Sequence, residues 1–209
     1  MPARHASVPK SRTVSTSEIP LFPLRTVLVP GGFLPLQIFE QRYLDMVRDC
    51  ARTGGGFGVC LILDGEETGR EPQHAQTGTL ARIRDFHTLD NGLLGITSEG
   101  HERFRIRGTR ARDNGLLMGK VDWLEEAMEA PLPEAYFLLG RIVGRFMDKV
   151  RDNYPGYHEG LLDDAVWVGY RLTELLPISN GERLSVLEMN DPVERLQRLL
   201  EWLPRFNTS

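Results

Sequence analysis

The chain has 209 residues, with 25 Lys and Arg against 29 Asp and Glu, a formal net charge of −4. That length buries one good core or two modest ones, and the charge gives no bulk attraction to nucleic acid while leaving room for a local basic patch. Two cysteines, Cys50 and Cys60, are too few for a disulfide-rich scaffold or a four-ligand zinc set and read as buried thiols. No stretch approaches the roughly 20 apolar residues that cross a bilayer. Residues 1–17 are polar, with no apolar signal core behind them, and read as the mobile tail of a cytoplasmic protein.

The first structured stretch runs from Ile19 to Tyr43 and combines strand-forming residues with Pro20, Pro23, Pro30 and Pro35. Proline has no backbone donor, so one regular central strand is excluded. The spacing predicts a first strand over Leu24 to Val29, a turn at Gly31-Gly32 and an irregular strand over Leu34 to Ile38. From Glu40 the apolar positions Tyr43, Leu44, Met46 and Val47 recur at helical spacing, and Arg52-Thr53-Gly54-Gly55-Gly56 ends that helix. The triple glycine is followed by no Gly-Lys-Ser or Gly-Lys-Thr, so it is not a phosphate loop. Phe57 to Leu63 reads as a buried strand and Asp64 to Gln76 as an exposed loop. Short strands are then expected over Gly78 to Phe86, Leu93 to Ser98, His101 to Gly108 and Leu116 to Trp123. Asp90-Asn91-Gly92 and Asp113-Asn114-Gly115 mark tight primed hairpin turns. Arg103, Arg105 and Arg107 alternate with Phe104 and Ile106, which predicts one buried and one wet, positive sheet face. Cross-strand ion pairs account for those arginines without a ligand; an acidic peptide or nucleic acid is the alternative.

Near Glu125 to Pro133 the pattern changes from period two to broad helical faces. Pro133 starts a helix to Val150, before the breakers Asn153-Tyr154-Pro155-Gly156, and Leu161 to Leu176 forms another, apolar on more than one side. Asp163 and Asp164 fall at its first turn, where charge stabilisation of the helix end is the simpler use than a metal. Ser179 with Glu182 spells a capping box. Asp191, Pro192 and Glu194 open a last helix whose packing face is Leu196, Leu199, Leu200 and Leu203. The short, glycine-punctuated strands without helical crossovers point to a partly closed β-barrel with the early helix against it, followed by a helical bundle.

Pro20-Leu21-Phe22-Pro23-Leu24, Val27-Leu28-Val29-Pro30-Gly31-Gly32 and Leu34-Pro35-Leu36-Gln37-Ile38-Phe39-Glu40-Gln41-Arg42-Tyr43 together resemble the N-terminal, substrate-binding domain of the Lon protease family. The resemblance continues through Phe57-Gly58-Val59, Gly78-Thr79-Leu80-Ala81-Arg82-Ile83 and Gly100-His101-Glu102-Arg103-Phe104-Arg105-Ile106. It reaches Trp167, Leu175-Leu176-Pro177, Leu184, Leu187-Glu188 and Glu194-Arg195-Leu196, covering roughly residues 18 to 204. It implies an α+β fold in which a PUA-like pseudo-β-barrel carrying an early helix precedes a C-terminal helical bundle. The corresponding division is a tail at 1–17, the barrel at 18–124, a linker at 125–132, the bundle at 133–204 and a tail at 205–209.

The same resemblance implies a non-enzymatic protein of quality control that recognises unfolded or tagged polypeptides, with no cofactor and with a protease as a candidate partner. Full-length relatives add an ATPase and a Ser-Lys peptidase, and neither is expected here. The physical expectation is an extended peptide held at a sheet edge or in a groove between barrel and bundle, with Phe39, Arg42, Tyr43, Arg103 and Phe104 as contact candidates. Each of these has a structural alternative, for Arg42 an ion pair or an exposed helix charge. RNA binding through Arg103, Arg105 and Arg107 is the second reading, weakened by the acidic chain and the missing aromatic platform. Ser98 has no Gly-x-Ser-x-Gly setting, and His74, His87, His101 and His158 form no catalytic spacing with the cysteines. Trp123, Trp167 and Trp202 serve either cores or a homo-oligomer interface, and no membrane partner is expected.

Overall fold

The structure, a computed structural model, describes residues 16–64, 73–125, 129–151 and 154–206. Residues 1–15 of the expected 1–17 tail, most of the Asp64 to Gln76 loop, 126–128 of the 125–132 linker, Asn153 and 207–209 of the expected C-terminal tail lie outside the described residues. Among the described residues, six strands and five α-helices follow in order: β1 (Thr16–Leu24), β2 (Phe33–Ile38), α1 (Gln41–Thr53), β3 (Phe57–Asp64), β4 (Gln73–Thr88), β5 (Leu94–Ala111), β6 (Leu117–Trp123), α2 (Phe137–Val150), α3 (Ala165–Leu175), α4 (Asn180–Leu187) and α5 (Pro192–Trp202).

The fold is α+β, with the early helix and the C-terminal helical bundle as expected, but the PUA-like barrel is corrected. The strands form one mixed six-stranded sheet in the order β2-β5-β4-β3-β1-β6, in which β1 and β3 run parallel and β2 is an edge paired with β5 alone. The outer half of β5 also pairs with β6, through Phe104 to Ala111. The inference from short, glycine-broken strands fails because the glycines do not end them. Gly78 lies inside the 16-residue β4, and Gly95, Gly100 and Gly108 lie inside the 18-residue β5. Register shifts at Thr79/Ala81, Ile83/Asp85 and Ile106/Gly108 let these two strands bend instead of stopping. Gln73, His74 and Gln76, read as loop, begin β4.

The first strand also lies earlier than expected, across Pro20 and Pro23 rather than after them. Thr16 to Pro20 pair with β6 and Leu21 to Leu24 with β3, so each proline sits where β1 has a single partner. A missing donor is tolerated on such one-sided stretches. Pro35 sits in edge strand β2 for the same reason. The hairpin turns differ in type as well. Gly92 N–H donates to Leu89 O (2.8 Å) and Gly115 N–H to Arg112 O (2.8 Å), with positive φ only at the glycines, both at 79°. These are ordinary turns closed by a left-handed glycine, not primed turns.

α1 packs on the sheet through Tyr43, Met46, Val47 and Cys50, joined in one core with Phe22, Phe57 and Ile96. Burial pushes the Cys50 thiol up to about 11, helped by Asp49, and the Cys60 thiol up to about 12. A second sheet cluster gathers Leu21, Cys60, Phe104, Ile106 and Val121. In the bundle, α3 is buried nearly all round, from Ala165 to Thr173. Asp164 caps it, accepting from Val166 N–H at 3.0 Å and from Ala130 N–H at 3.1 Å. Ser179 and Glu182 form the full capping box of α4, and Asp191 caps α5 with Pro192 in its first turn.

Sheet and bundle meet at the Pro30-Gly31-Gly32 turn. Gly31 N–H donates to Gly100 O (2.7 Å) and Gly100 N–H to Gly32 O (2.9 Å), which seats the turn on the bend of β5. Arg171 of α3 reaches across to donate to Pro30 O at 2.6 Å and Gly31 O at 2.8 Å. Gly31 has φ 69°, which favours glycine, and a Cβ on Gly32 would displace the Glu174 carboxylate and stand 3.0 Å from Val29 O. Val29, Val166, Tyr170 and Leu187 seal the contact with a small apolar cluster.

Candidate functional site

The free edge of β2 and the corner where it enters α1 form the most exposed apolar feature of the sheet half. β2 pairs with β5 from Phe33↔Glu99 to Ile38↔Leu94, and no described strand covers its other side. Phe39 follows directly and is 66% exposed. Phe86 on β4, 49% exposed, lies opposite Ile96, which is itself opposite Leu36 of β2. The corner is held by Arg42, which pairs with Glu40 at 2.7 Å, donates to Gly115 O at 3.3 Å and lies 4.7 Å above the Tyr43 ring. Tyr43 is buried and stacks on Phe22 with ring centroids 3.9 Å apart. An apolar ring beside unpaired strand backbone and a half-exposed guanidinium can take an extended peptide by strand addition.

Of the sequence candidates, Phe39 and Arg42 lie at the surface of this corner, and Tyr43 is buried in the core under Arg42. Arg103 and Phe104 lie elsewhere. Phe104 is fully buried in the sheet, edge-on to Trp123. Arg103 is fully buried under the bundle and donates to Leu187 O (2.6 Å), Met189 O (3.0 Å), Glu125 O (3.3 Å) and Asn190 Oδ1 (3.2 Å). The wet face expected of β5 begins only beyond it. There Arg107 pairs with Asp122 at 2.6 Å, and Arg110 grips Glu18 through two contacts of 2.8 Å. The Arg110 and Arg107 guanidiniums hold the Glu18 and Asp122 carboxyls below their ordinary values. With Arg103 buried and Arg107 paired, the phosphate-binding row required by the RNA reading is not assembled.

Phe86 and the free side of β2 escaped sequence reading, since alternation marks a strand but not which strand ends the sheet. Ser98 is buried in β5. His74 contacts Ala75 O at 3.0 Å, His87 covers Gly95, and His101 lies 3.8 Å from Glu99. None of these histidines hydrogen-bonds a serine or cysteine among the described residues, and no described group of three or more His, Cys, Asp or Glu is placed to hold a metal. No described helix is long and apolar enough to cross a membrane. All three tryptophans serve internal contacts: Trp123 donates to Ser17 Oγ at 3.0 Å, Trp167 stacks on Tyr157, and Trp202 lies under Arg205.

Residues 18–205 match the family model of the ATP-dependent protease La (LON) substrate-binding domain. Among solved structures, the chain is similar to a Lon N-terminal domain protein from Xanthomonas campestris, at 46% identity and a TM-score of 0.75 over 89% of this chain and 98% of that one. The N-terminal domain of a Mycobacterium avium complex Lon protease shares the fold at 16% identity and a TM-score of 0.63, over 90% of this chain and 98% of that one. Curated relatives include a LON peptidase N-terminal domain and RING finger protein of Schizosaccharomyces pombe, 26% identical over 92% of this chain and 46% of its own length. Another is cereblon of Xenopus tropicalis, 27% identical over 88% of this chain and 53% of its length. The chain thus spans about half the length of these relatives. The matched region is the substrate-binding, non-catalytic part of the protease, and on the family model and the Xanthomonas structure this chain belongs to the Lon substrate-binding domain family.

Proposed function

We propose that the protein binds unfolded or tagged polypeptide by adding an extended segment to the free edge of β2. Phe39 supplies the apolar contact at the end of that edge, and Arg42, fixed over Tyr43, presents a cation to the segment's carbonyl or carboxylate groups. The single observation that carries the reading is the one-sided pairing of β2 next to a phenylalanine that is 66% exposed. Pro35 contributes no donor, so the Leu36 to Phe39 end is the better template. Arg103 and Phe104 act away from this surface, Phe104 in the sheet core and Arg103 in its contact with the bundle. On this reading the working unit is a sheet domain over 18–124 joined by 125–132 to a bundle over 133–204. It hands polypeptide to a separate protease. Two buried thiols suit a reducing, cytoplasmic setting.

A peptide array probed with the purified chain tests the proposal. Extended apolar sequences are expected to outbind scrambled, acidic and basic ones, and Phe39→Ser is expected to lower that binding about tenfold, as for an exposed aromatic anchor. Equal weak signals across all four peptide classes would count against selective recognition.

A further inference from the structure

α2 carries a surface pattern that bundle packing uses only in part and the β2 edge not at all. Its inner side, Leu139, Val143 and Met147, is fully buried in the helical core. Beside that side, Leu138, Ile142 and Phe146 recur every four residues and make one row along the helix, Ile142 also packing on the helical core, while Arg141, Arg145 and Lys149 recur at the same spacing in the row next to it. Leu138 is 55% and Phe146 40% exposed, and Ile142 is partly so. Among the described residues no carboxylate pairs with Arg141, Arg145 or Lys149; Asp148 on the same helix pairs with Arg151 at 3.6 Å. Like charges four residues apart weaken a helix, and here they stand on a chain whose overall charge is negative.

We propose that this face of α2 docks an amphipathic helix of a partner polypeptide whose apolar row is flanked by Asp or Glu at the same four-residue spacing. Rows of that spacing on two helices interdigitate, so leucines of the partner lie against Leu138, Ile142 and Phe146 while its carboxylates meet the cationic row. Charge complementarity selects this occupant. A second copy would present the same basic row and be repelled. A bilayer is disfavoured by geometry: Arg141 and Arg145 are each two residues from buried Val143, hence on the side of the helix away from the core, and a flat surface would meet the cations first and the apolar row only at its flank. The α2 face is independent of the β2 edge, and the extended peptides that test the edge are not probes of it.

Fluorescence anisotropy of the full chain with a labelled, helix-stabilised peptide carrying Leu every fourth residue and Glu in the adjacent row tests the proposal, against a matched peptide with Gln for Glu. Saturable binding of the Glu peptide is expected, about tenfold weaker for the Gln peptide and for the R141E/R145E variant, with the variant preferring a Lys version of the peptide. These substitutions are on exposed positions, and an unchanged circular-dichroism melt verifies that the variant is folded. Absent or charge-independent peptide binding overturns the proposal. So does binding of the chain to phosphatidylserine-containing vesicles that is lost in R141E/R145E while the peptide does not bind.

Discussion

Among the described residues, Arg103, Arg171 and Arg195 are the largest side chains with almost no exposed surface, and Arg171 pairs with Glu174 at 2.7 Å. Arg103 donates to carbonyl oxygens of the α4–α5 connection, and Arg195 donates to Met189 O at 2.9 Å and to the Tyr170 hydroxyl, with its guanidinium over the Tyr170 ring. A buried carbonyl left without its donor is costly, so Arg103→Ala is expected to lower stability by about 3 kcal/mol in urea titration. Arg103→Lys should recover little of it, because one compact ammonium cannot reach carbonyls spread around a planar fork. Period two in β5 correctly puts Arg103 on the face opposite Phe104. What covers that face is set by residues more than 80 positions away and is invisible in the local pattern. Glu182 gives a second test. Arg205 at 2.7 Å, with the Ser179 amide and hydroxyl, pulls its carboxyl down to about 2 from an ordinary 4.5. A lowered carboxyl stabilises fully above its unfolded value and loses that contribution as pH falls through the folded one. Melting temperature should therefore carry a Glu182-dependent decline between about pH 4.5 and 2, and Glu182→Gln should flatten that part of the curve. Burial instead raises the Glu174 carboxyl, outweighing Arg171 and Arg183.

Among the elements, β4 and β5 show how glycine works inside strands. Cβ atoms built on Gly58 and on Gly78 would each stand 2.6 Å from the Phe104 ring, so that ring fills the space two missing side chains leave. Gly58→Ala should overpack this cluster and cost about 1–3 kcal/mol, measured by urea or thermal unfolding. At the β4–β5 turn the constraint is backbone alone: Gly92 has φ 79° and nothing near its Cβ position, so Gly92→Ala is expected to cost about 1 kcal/mol without a packing change. The starts of α4 and α5 were legible because their chemistry is local, as the Ser179–Glu182 box and the Asp191-Pro192 start show, whereas α2 and α3 begin at Phe137 and Ala165 rather than at Pro133 and Leu161, each behind a short 3-10 turn. Strand ends in β4 and β5 were not legible, because a glycine that bends a strand and one that terminates it have the same sequence signature. β1 misled in the opposite sense: its two prolines argue against a strand until the change of partner from β6 to β3 is known.

For the molecule as a whole, sheet and bundle are tied by Arg103, by Arg171 on the Pro30-Gly31 carbonyls and by Asn180, which donates to Arg25 O at 2.7 Å. Urea unfolding followed at the amides of Val121 in β6 and Leu199 in α5 should give one midpoint, and in an R103A/R171A double variant two separate midpoints. The family and the helical half could be read from sequence, whereas the peptide corner could be read only in part. Phe39, Arg42 and Tyr43 lie within five residues and so stay near one another however the chain turns, but the free edge beside them depends on the strand order of the sheet. The Pro-Gly-Gly turn also sets a schedule for synthesis. Its carbonyls receive the Arg171 guanidinium across sequence separations of 140 and 141 residues. A nascent chain that has already made β1 to β6 must therefore wait with this turn unlatched until α3 leaves the ribosome, and in that interval the apolar surface around Val27 and Val29 is what a chaperone would meet.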